Sequence, residues 1–321
     1  MVRKILLAVF ALLGIVIFSV YYSEISRETL WERYAYADSK TVKIDGMPVH
    51  YRITGEGAPV VLIHGTGSSL HTWEDWIHDL QDRFQLIAVD LPAFGMTGPH
   101  PERDYSITAY VDFVESFVQH IGLDSFALAG NSLGGLISWA YAAQHPQRVT
   151  SLALLDPSGF PGKNAASEAP PLPMRLAQNP ITAKVMQRIT PKFIIENSLL
   201  EVYFDDSKVS QELVDRYFDM SLREGNRQAF VDRSNTERNV DTLDLRQITV
   251  PTMIMWGEED LWIPVGDAAR FAHLLPNDTT VILPNVGHVP MEEAPGLTAE
   301  IFGSWLLEQW HVVPDSTAAL Y

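Results

Sequence analysis

Short, uninterrupted apolar runs alternate with amphipathic segments along most of this chain. The apolar runs lie at residues 59–63, 85–89, 126–129 and 149–155. Continuous apolar runs of this length are typical of strands that are buried on both faces of a sheet. Residues 106–121 instead repeat apolar side chains at helical spacing, as expected of a helix that covers one sheet face. The alternation predicts an α/β fold with a mostly parallel central sheet flanked by helices.

Two further patterns frame this alternation. Strand-like runs at 41–53 flank Asp45-Gly46, a dipeptide that strongly indicates a β-hairpin. From residue 160 only helical patterns appear, until strand-like runs resume at 251–256 and 280–283. Helices are predicted at 174–189, 192–204, 211–222, 227–240, 265–275 and 297–310. Because both ends of the all-helical stretch return to the same sheet, we expect an insertion rather than an independent domain.

The N-terminus carries a separate apolar signal. Residues 5–22 contain no charged side chain, and as a helix they would rise about 27 Å, close to the ~30 Å hydrocarbon core of a bilayer. The run ends in bulky and aromatic residues, so a signal anchor fits better than a cleaved signal peptide. Arg3 and Lys4 precede the span. The positive-inside rule then predicts a single-pass membrane protein, with a cytoplasmic N-terminus and the folded domain on the non-cytoplasmic (periplasmic or luminal/extracellular) side.

The segment after the predicted anchor mixes charged residues with apolar residues at helical spacing. Leu30, Trp31, Tyr34 and Tyr36 would share one face of a short helix within residues 23–38. Such a helix packs either along the membrane or against the domain, and the sequence pattern leaves both alternatives open.

Composition excludes several classes of function. The chain has 321 residues, of which 46% are hydrophobic, enough for a substantial core. A net charge of −17 and the lack of any Lys/Arg run argue against nucleic-acid binding. With no cysteine there is no disulfide, thiol nucleophile or thiolate metal site. The ten histidines show no H-E-x-x-H spacing, so we expect neither a metal nor a cofactor.

The most informative chemical pattern is the turn at residues 130–134, Gly-Asn-Ser-Leu-Gly, which joins an apolar run directly to a helical pattern. Gly130 and Gly134 flank Ser132 at the two positions where a larger side chain would clash with the strand and the helix. The turn exposes the Ser132 hydroxyl. The amide of Leu133, at the positive end of the new helix, points at the same space. Packing of small residues at a strand end is the alternative interpretation.

A serine nucleophile needs an imidazole base, and the imidazole needs an acid that holds its tautomer. Asp260 and His288 each follow a predicted strand, as Ser132 does. In a parallel sheet these strand ends share one edge, so the three side chains can converge. Asp156 is a competing acid at another strand end, but the neighbouring Pro157 favours a turn role for it.

The G-x-S-x-G turn, the Trp-Gly-x-x-Asp sequence that ends at Asp260 and the Gly-His-x-Pro sequence around His288 resemble the elbow, acid turn and histidine turn of the α/β-hydrolase family. The resemblance runs from about residue 42 to residue 310. It implies a catalytic triad of Ser132, Asp260 and His288, and a helical cap inserted between the sixth and seventh strands.

The resemblance also implies an oxyanion hole. Leu133 would supply one backbone N–H, and Thr66 would supply the other from the glycine-rich loop that begins His64-Gly65. A tight turn that uses glycine for its backbone freedom is the alternative for this loop. His64 is expected to be a structural hydrogen-bonding residue.

The predicted organisation has six parts. They are an anchor at 1–22, a linker at 23–40, the first part of the core at 41–159, the cap at 160–247, the second part of the core at 248–311 and a tail at 312–321.

We therefore expect a serine hydrolase that acts on small-molecule apolar acyl esters, including lipid-derived ones, at a membrane. An apolar run at 193–204 in the cap predicts either an acyl pocket or packing of the cap. Three alternatives stay open: a carbon–carbon bond hydrolase of dienoate ring-fission products, a cofactor-free haloperoxidase-like enzyme, and a non-catalytic binding protein on this fold. Val289 follows His288 where the dienoate hydrolases usually carry Trp. The sequence does not indicate an oligomeric state.

Overall fold

A computed structural model describes residues 21–160, 170–237, 240 and 243–311. The predicted anchor lies almost entirely outside the described residues, as does the tail at 312–321. Within the described ranges, no helix combines the length and the apolar character needed to cross a membrane.

Eight strands form one sheet in the described part of the chain. They are β1 (Ser39–Ile44), β2 (Met47–Thr54), β3 (Pro59–Ile63), β4 (Gln85–Val89), β5 (Phe126–Asn131), β6 (Val149–Leu155), β7 (Thr252–Gly257) and β8 (Asp278–Leu283). Their spatial order is β1-β2-β4-β3-β5-β6-β7-β8, and only the β1–β2 and β2–β4 pairs are antiparallel. The predicted mostly parallel sheet is confirmed. The hairpin turn at Asp45-Gly46 has positive φ at both residues, which is why this dipeptide suits it.

The helices cover both sheet faces and fill the insertion. They are α1 (Arg27–Tyr34), α2 (Glu74–Leu80), α3 (Ile107–His120), α4 (Leu133–Gln144), α5 (Leu172–Gln178), α6 (Pro180–Met186), α7 (Lys192–Val202), α8 (Gln211–Ser221), α9 (Asn226–Asn235), α10 (Gly266–Leu274), α11 (Pro290–Glu293) and α12 (Pro295–His311). Short 3₁₀ turns lie at Leu70–Trp73, Asp206–Lys208 and Leu245–Gln247. Helices α5 to α9 lie between β6 and β7, so the predicted helical cap is confirmed.

The two faces of the sheet carry separate hydrophobic cores. Alternate residues of one strand belong to different cores, for example Val61 with Ile63 and Val60 with Leu62. Side chains of α3, α4 and α10 complete the first core, while α2 and α12 complete the second. Burial on both faces explains why these strands appear in the sequence as continuous apolar runs.

The single helix predicted over 174–189 is wrong, because the chain breaks at Asn179-Pro180. Asn179 is extended at φ −84° and ψ 125° and caps α6, since its side chain accepts hydrogen bonds from the amides of Ile181 and Thr182. Proline favours the first turn of a helix, where its missing N–H is not needed. Two short helices therefore replace one long helix.

Helix α1 packs against the protein. Leu30 is fully buried with Met96 and Met220, and the Tyr34 hydroxyl donates to the Asp219 carboxylate at 2.8 Å. The preceding Ile25 exchanges backbone hydrogen bonds with Leu222 and Glu224 at the end of α8. The two alternatives for residues 23–38 were packing along the membrane and packing against the domain. The Leu30 face of α1 packs against the domain.

Candidate active site

Ser132 lies between the end of β5 and the start of α4 in a strained backbone conformation. Its φ is 55° and its ψ is −115°, a region that residues with a side chain rarely adopt. A Cβ at Gly130 would lie 2.3 Å from the Gly134 carbonyl oxygen, and a Cβ at Gly134 would lie 2.1 Å from that of Ile63. Only glycine fits at these two positions, so the turn can project Ser132 from the strand end.

His288 and Asp260 form a buried acid–imidazole pair. The His288 Nδ1 atom lies 2.6 Å from Asp260 Oδ2. The other carboxylate oxygen, Oδ1, accepts the backbone N–H groups of Trp262 at 2.7 Å and Ile263 at 2.9 Å. Since a carboxylate accepts at Nδ1, the proton of a neutral imidazole lies there and leaves Nε2 as an acceptor. His288 Nε2 is buried with no hydrogen-bond partner in the described part of the chain.

Asp156, the competing acid in the sequence, lies beside this pair. A carboxylate oxygen of Asp156, one of Asp260 and a ring nitrogen of His288 all lie within 4.8 Å of one another. Asp156 is fully buried at φ 45°, and its Oδ1 accepts the Gly257 N–H at 2.9 Å. Burial and the adjacent Asp260 carboxylate raise the pKa of Asp156 well above its ordinary value. Burial beside a second carboxyl group therefore favours the protonated form of Asp156.

These three residues are also the group that most resembles a metal site among the described residues. However, His288 Nδ1 and Asp260 Oδ2 already hydrogen-bond to each other, and Asp260 Oδ1 accepts two backbone amides. The arrangement therefore fits proton transfer better than metal coordination.

The glycine-rich loop after β3 lies across from Ser132. Gly65, Thr66 and Ser132 line the same cavity. The N–H of Leu133 has no partner within its own helix, since α4 begins at this residue. The loop is held by buried His64, whose Nδ1 donates to the Gly65 carbonyl at 2.8 Å and whose Nε2 accepts the Leu91 N–H at 2.9 Å. His64 thus has structural hydrogen bonds on both ring nitrogens.

Asn131 and Glu293, to which the sequence assigned no role, hold the histidine loop in place. The Asn131 amide donates to the His288 carbonyl at 2.9 Å and to the Leu155 carbonyl at 3.2 Å. Buried Glu293 accepts the N–H of Gly287 at 2.7 Å and that of Asp205, just beyond α7, at 2.8 Å. The loop that carries His288 is thus tied both to the elbow and to the cap. Asn131 stood next to Ser132 in the sequence, but its partner was not predictable.

A polar cluster beside the cavity joins the cap to the core. Glu292 accepts hydrogen bonds from the hydroxyls of Tyr203 at 2.7 Å and Tyr217 at 2.5 Å, both cap residues, and from that of Thr72 in the core. Burial raises the pKa of Glu292 above its ordinary value, although the three hydroxyls favour its charged form. The Tyr217 hydroxyl also bonds to Ser68 of the glycine-rich loop at 3.1 Å.

The cavity above Ser132 has a volume of about 130 Å³ and is mainly apolar. Its walls come from the elbow, the glycine-rich loop and the cap. The cap side chains in its lining include Met174, Met186, Ile194, Ile195, Leu199, Val202, Met220 and Phe230. Of the apolar run at 193–204, Ile194, Ile195 and Leu199 line this cavity, whereas Phe193 and Phe204 are about half exposed.

The family model of the alpha/beta hydrolase fold matches residues 58–295, which is most of the chain. The chain belongs to the α/β-hydrolase family. The matched range contains the elbow, the acid turn and the histidine turn. Membership of this family supports hydrolase activity.

Relatives within the family carry different activities in their names. A monoacylglycerol lipase (abhd6-A) of Xenopus laevis is 29% identical over 266 residues, covering 78% of this chain and 76% of the relative. A 2-hydroxy-6-oxo-2,4-heptadienoate hydrolase of Pseudomonas putida is 28% identical over 264 residues, covering 78% and 89%. Among solved structures, a bacterial membrane phospholipase A matches with a TM-score of 0.73 and 26% identity, covering 96% of this chain and 99% of that one.

Proposed function

We propose that this protein is a serine hydrolase that cleaves carboxylic esters of apolar, lipid-derived acyl groups through an acyl-enzyme on Ser132. The observation that carries the proposal is the buried Asp260–His288 pair, whose free Nε2 belongs to a histidine that lines the same cavity as the strained Ser132. That constellation supplies a nucleophile, a base and an orienting acid without a cofactor.

In the proposed mechanism, Ser132 Oγ attacks the ester carbonyl and its proton passes to His288 Nε2. The N–H groups of Leu133 and Thr66 stabilise the oxyanion that forms. His288 then donates the proton to the leaving alkoxide, which departs as an alcohol. Water next attacks the acyl-enzyme, His288 takes the water's proton, and Ser132 leaves with that proton as the acid product is released. Asp260 stabilises the imidazolium in both halves.

The charges around the cavity favour an uncharged acyl group over a dienoate. Arg227 is the one Asp, Glu, Lys or Arg side chain among the described residues that line the cavity. Its guanidinium donates to the carbonyls of Tyr22 at 3.1 Å and Arg188 at 2.8 Å, and lies 3.7 Å from the Glu24 carboxylate. A dienoate carries a carboxylate that needs a free cation. Because Nη1 of Arg227 is occupied by two carbonyls and its guanidinium lies near Glu24, it is less available to such a substrate than a free cation.

Two observations support a lipid substrate at a membrane. The chain begins with the apolar run at 5–22, which suits a single-pass anchor with the hydrolase domain on the non-cytoplasmic side. Two similar proteins are named as a monoacylglycerol lipase and a membrane phospholipase A. Tethering raises the encounter of the site with substrates that partition into the bilayer.

A substrate panel tests the proposal. Purified full-length protein would be tested with acyl and aryl esters of increasing chain length and with a heptadienoate ring-fission product. A separate assay with halide and peroxide would test for haloperoxidase activity. The proposal expects ester turnover that depends on acyl length and is lost in Ser132→Ala. Faster turnover of the dienoate would reassign the enzyme as a carbon–carbon bond hydrolase. Failure of every substrate in protein that unfolds cooperatively would favour the binding-protein alternative.

A further inference from the structure

The outward face of α6 combines apolar and basic side chains. Ile181 is 76% exposed and Val185 is 51% exposed. Lys184 is exposed on the same side, because residues three apart share one face of a helix, and Arg188 is exposed in the turn just beyond α6. We refer to these four residues as the cap face. Neighbouring exposed apolar side chains on one helix face can mark an interaction surface.

The charge of this region is opposite to that of the whole chain. Residues 170–195 contain four basic residues and no Asp or Glu, whereas the complete chain has a net charge of −17. Leu172 and Phe193, at the two ends of this stretch of sequence, are also exposed, at 43% and 55%. A surface that pairs basic with apolar side chains is typical of segments that lie in the interface of an anionic membrane.

The cap face adjoins the point where the predicted anchor leaves the domain. Arg227 donates at once to the carbonyl of Tyr22 and to that of Arg188, so the chain at residue 22 lies next to the end of the cap face. The Tyr22 ring also packs edge-on against Phe218 of α8 at 4.7 Å. Tyr21, the first described residue, is 56% exposed. The described part of the chain therefore begins close to this face.

The inward side of α6 belongs to the cavity. Met186 is buried and lines the cavity together with Ser132, and Thr190 just beyond the helix does the same. Helix α6 is thus one layer of protein, with the cavity on one side and the cap face on the other.

We propose that the cap face docks on the headgroup region of an anionic lipid bilayer, so that α6 lies between the lipid and the cavity. Ile181 and Val185 enter the interface, and Lys184 and Arg188 pair with lipid phosphates. The inference deepens the proposed function, since it rests on an anchored hydrolase that takes its substrate from the bilayer. A second copy of this chain is the competing occupant of the face.

Site-specific fluorescence tests this docking, and the absence of native cysteine makes the labelling clean. Val185→Cys would be labelled with nitrobenzoxadiazole in the full-length protein and reconstituted into phosphatidylcholine vesicles with or without phosphatidylglycerol. Leu297→Cys on α12 is the matched control, because Leu297 is 55% exposed. We expect the label at 185, but not that at 297, to shift to shorter wavelength and to be quenched by lipids with brominated acyl chains.

Two results would overturn the docking. In one, the label at 185 remains as water-exposed as the label at 297 in vesicles. In the other, the blue shift at 185 appears in detergent without lipid and grows with protein concentration, which assigns the face to a second copy.

A charge reversal adds a functional readout. Lys184→Glu/Arg188→Glu should lower turnover of vesicle-borne esters by about tenfold in phosphatidylglycerol vesicles and leave turnover of a short soluble ester unchanged. Lys40→Glu/Lys43→Glu, two exposed positions on β1, makes the same change in net charge. Equal loss in both double variants means that net charge alone acts, and the docking is then wrong.

The two proposals fail separately. If the wild-type protein neither cleaves soluble esters nor is labelled on Ser132, the proposed hydrolase function is wrong, but the fluorescence result at residue 185 is unaffected. Conversely, an exposed label on a protein that cleaves soluble esters would overturn the docking alone.

Discussion

Replacing Asp260 by Asn tests which carboxyl group orients His288. The backbone amides of Trp262 and Ile263 donate to Asp260 Oδ1 at 2.7 and 2.9 Å, so the oxygen of an Asn side chain is held on that side. The Asn NH₂ group then faces His288 Nδ1, which has to become an acceptor. The imidazole proton moves to Nε2, where it prevents removal of the Ser132 proton.

The expected loss is large. A wrong tautomer costs about 10⁴ in turnover, which corresponds to about 5 kcal/mol in the activation barrier. Asp156→Asn should lose less than about tenfold, or about 1.4 kcal/mol. Its amide oxygen can accept the Gly257 N–H, as Asp156 Oδ1 does at 2.9 Å, and the amide places no second charge beside Asp260. The matched pair therefore separates an orienting carboxylate from a neutral neighbour.

The assay is kcat/KM on a soluble aryl ester, measured across pH 5 to 9 on variants with unchanged thermal unfolding. A loss of about 10⁴ in Asp156→Asn with a mild effect in Asp260→Asn would move the orienting acid to Asp156. Equal losses in both variants would refute the division of roles.

Three further predictions concern specificity, packing and pH. Leu199→Ala should change the preference between long and short acyl chains by about 1–3 kcal/mol in kcat/KM. Replacing the exposed Phe193 by Ala should leave that preference unchanged. If the two variants show the same chain-length profile, Leu199 has only a packing role. Leu30→Ala should lower the free energy of unfolding by about 2–5 kcal/mol in chemical denaturation, and no change would mean that α1 does not depend on this contact. Because the folded pKa of Asp156 is raised above its ordinary 3.8, the folded state keeps a proton that the unfolded chain releases, and wild-type stability falls as pH rises above about 4. Asp156→Asn should flatten this decline in denaturation curves, and parallel curves would show that Asp156 is ionised in the folded protein.

The strands and the elements around the elbow were predictable because their signals are local. The apolar run at 59–63 ends at the same residue as β3, and the Gly-x-Ser-x-Gly turn predicted that Ser132 lies between a strand and a helix. Helix α2 was not predicted, since its seven residues are too short to show a periodic pattern. The break at Pro180 had a local signal, but the apolar spacing on both sides of it suggested one helix.

The supporting residues of the site could not be predicted from local pattern. Asp156 was expected to have a turn role, and it has a positive φ, but the fold also places it beside Asp260, which follows the neighbouring strand β7. Asn131 and Glu293 act on backbone groups that are distant along the chain, such as the His288 carbonyl and the Asp205 amide. Only the three-dimensional arrangement of strand ends and cap brings these partners together.

Covalent labelling tests directly whether Ser132 is the nucleophile. The full-length protein would be treated with a fluorophosphonate probe and its adduct located by peptide mass spectrometry, alongside ester turnover. Ser198→Ala is the matched control, because Ser198 also lines the cavity but donates its hydroxyl to the Ile194 carbonyl at 2.8 Å. We expect a single adduct on Ser132, which is lost together with turnover in Ser132→Ala and retained in Ser198→Ala. An adduct on another serine, or turnover that survives Ser132→Ala, would contradict it.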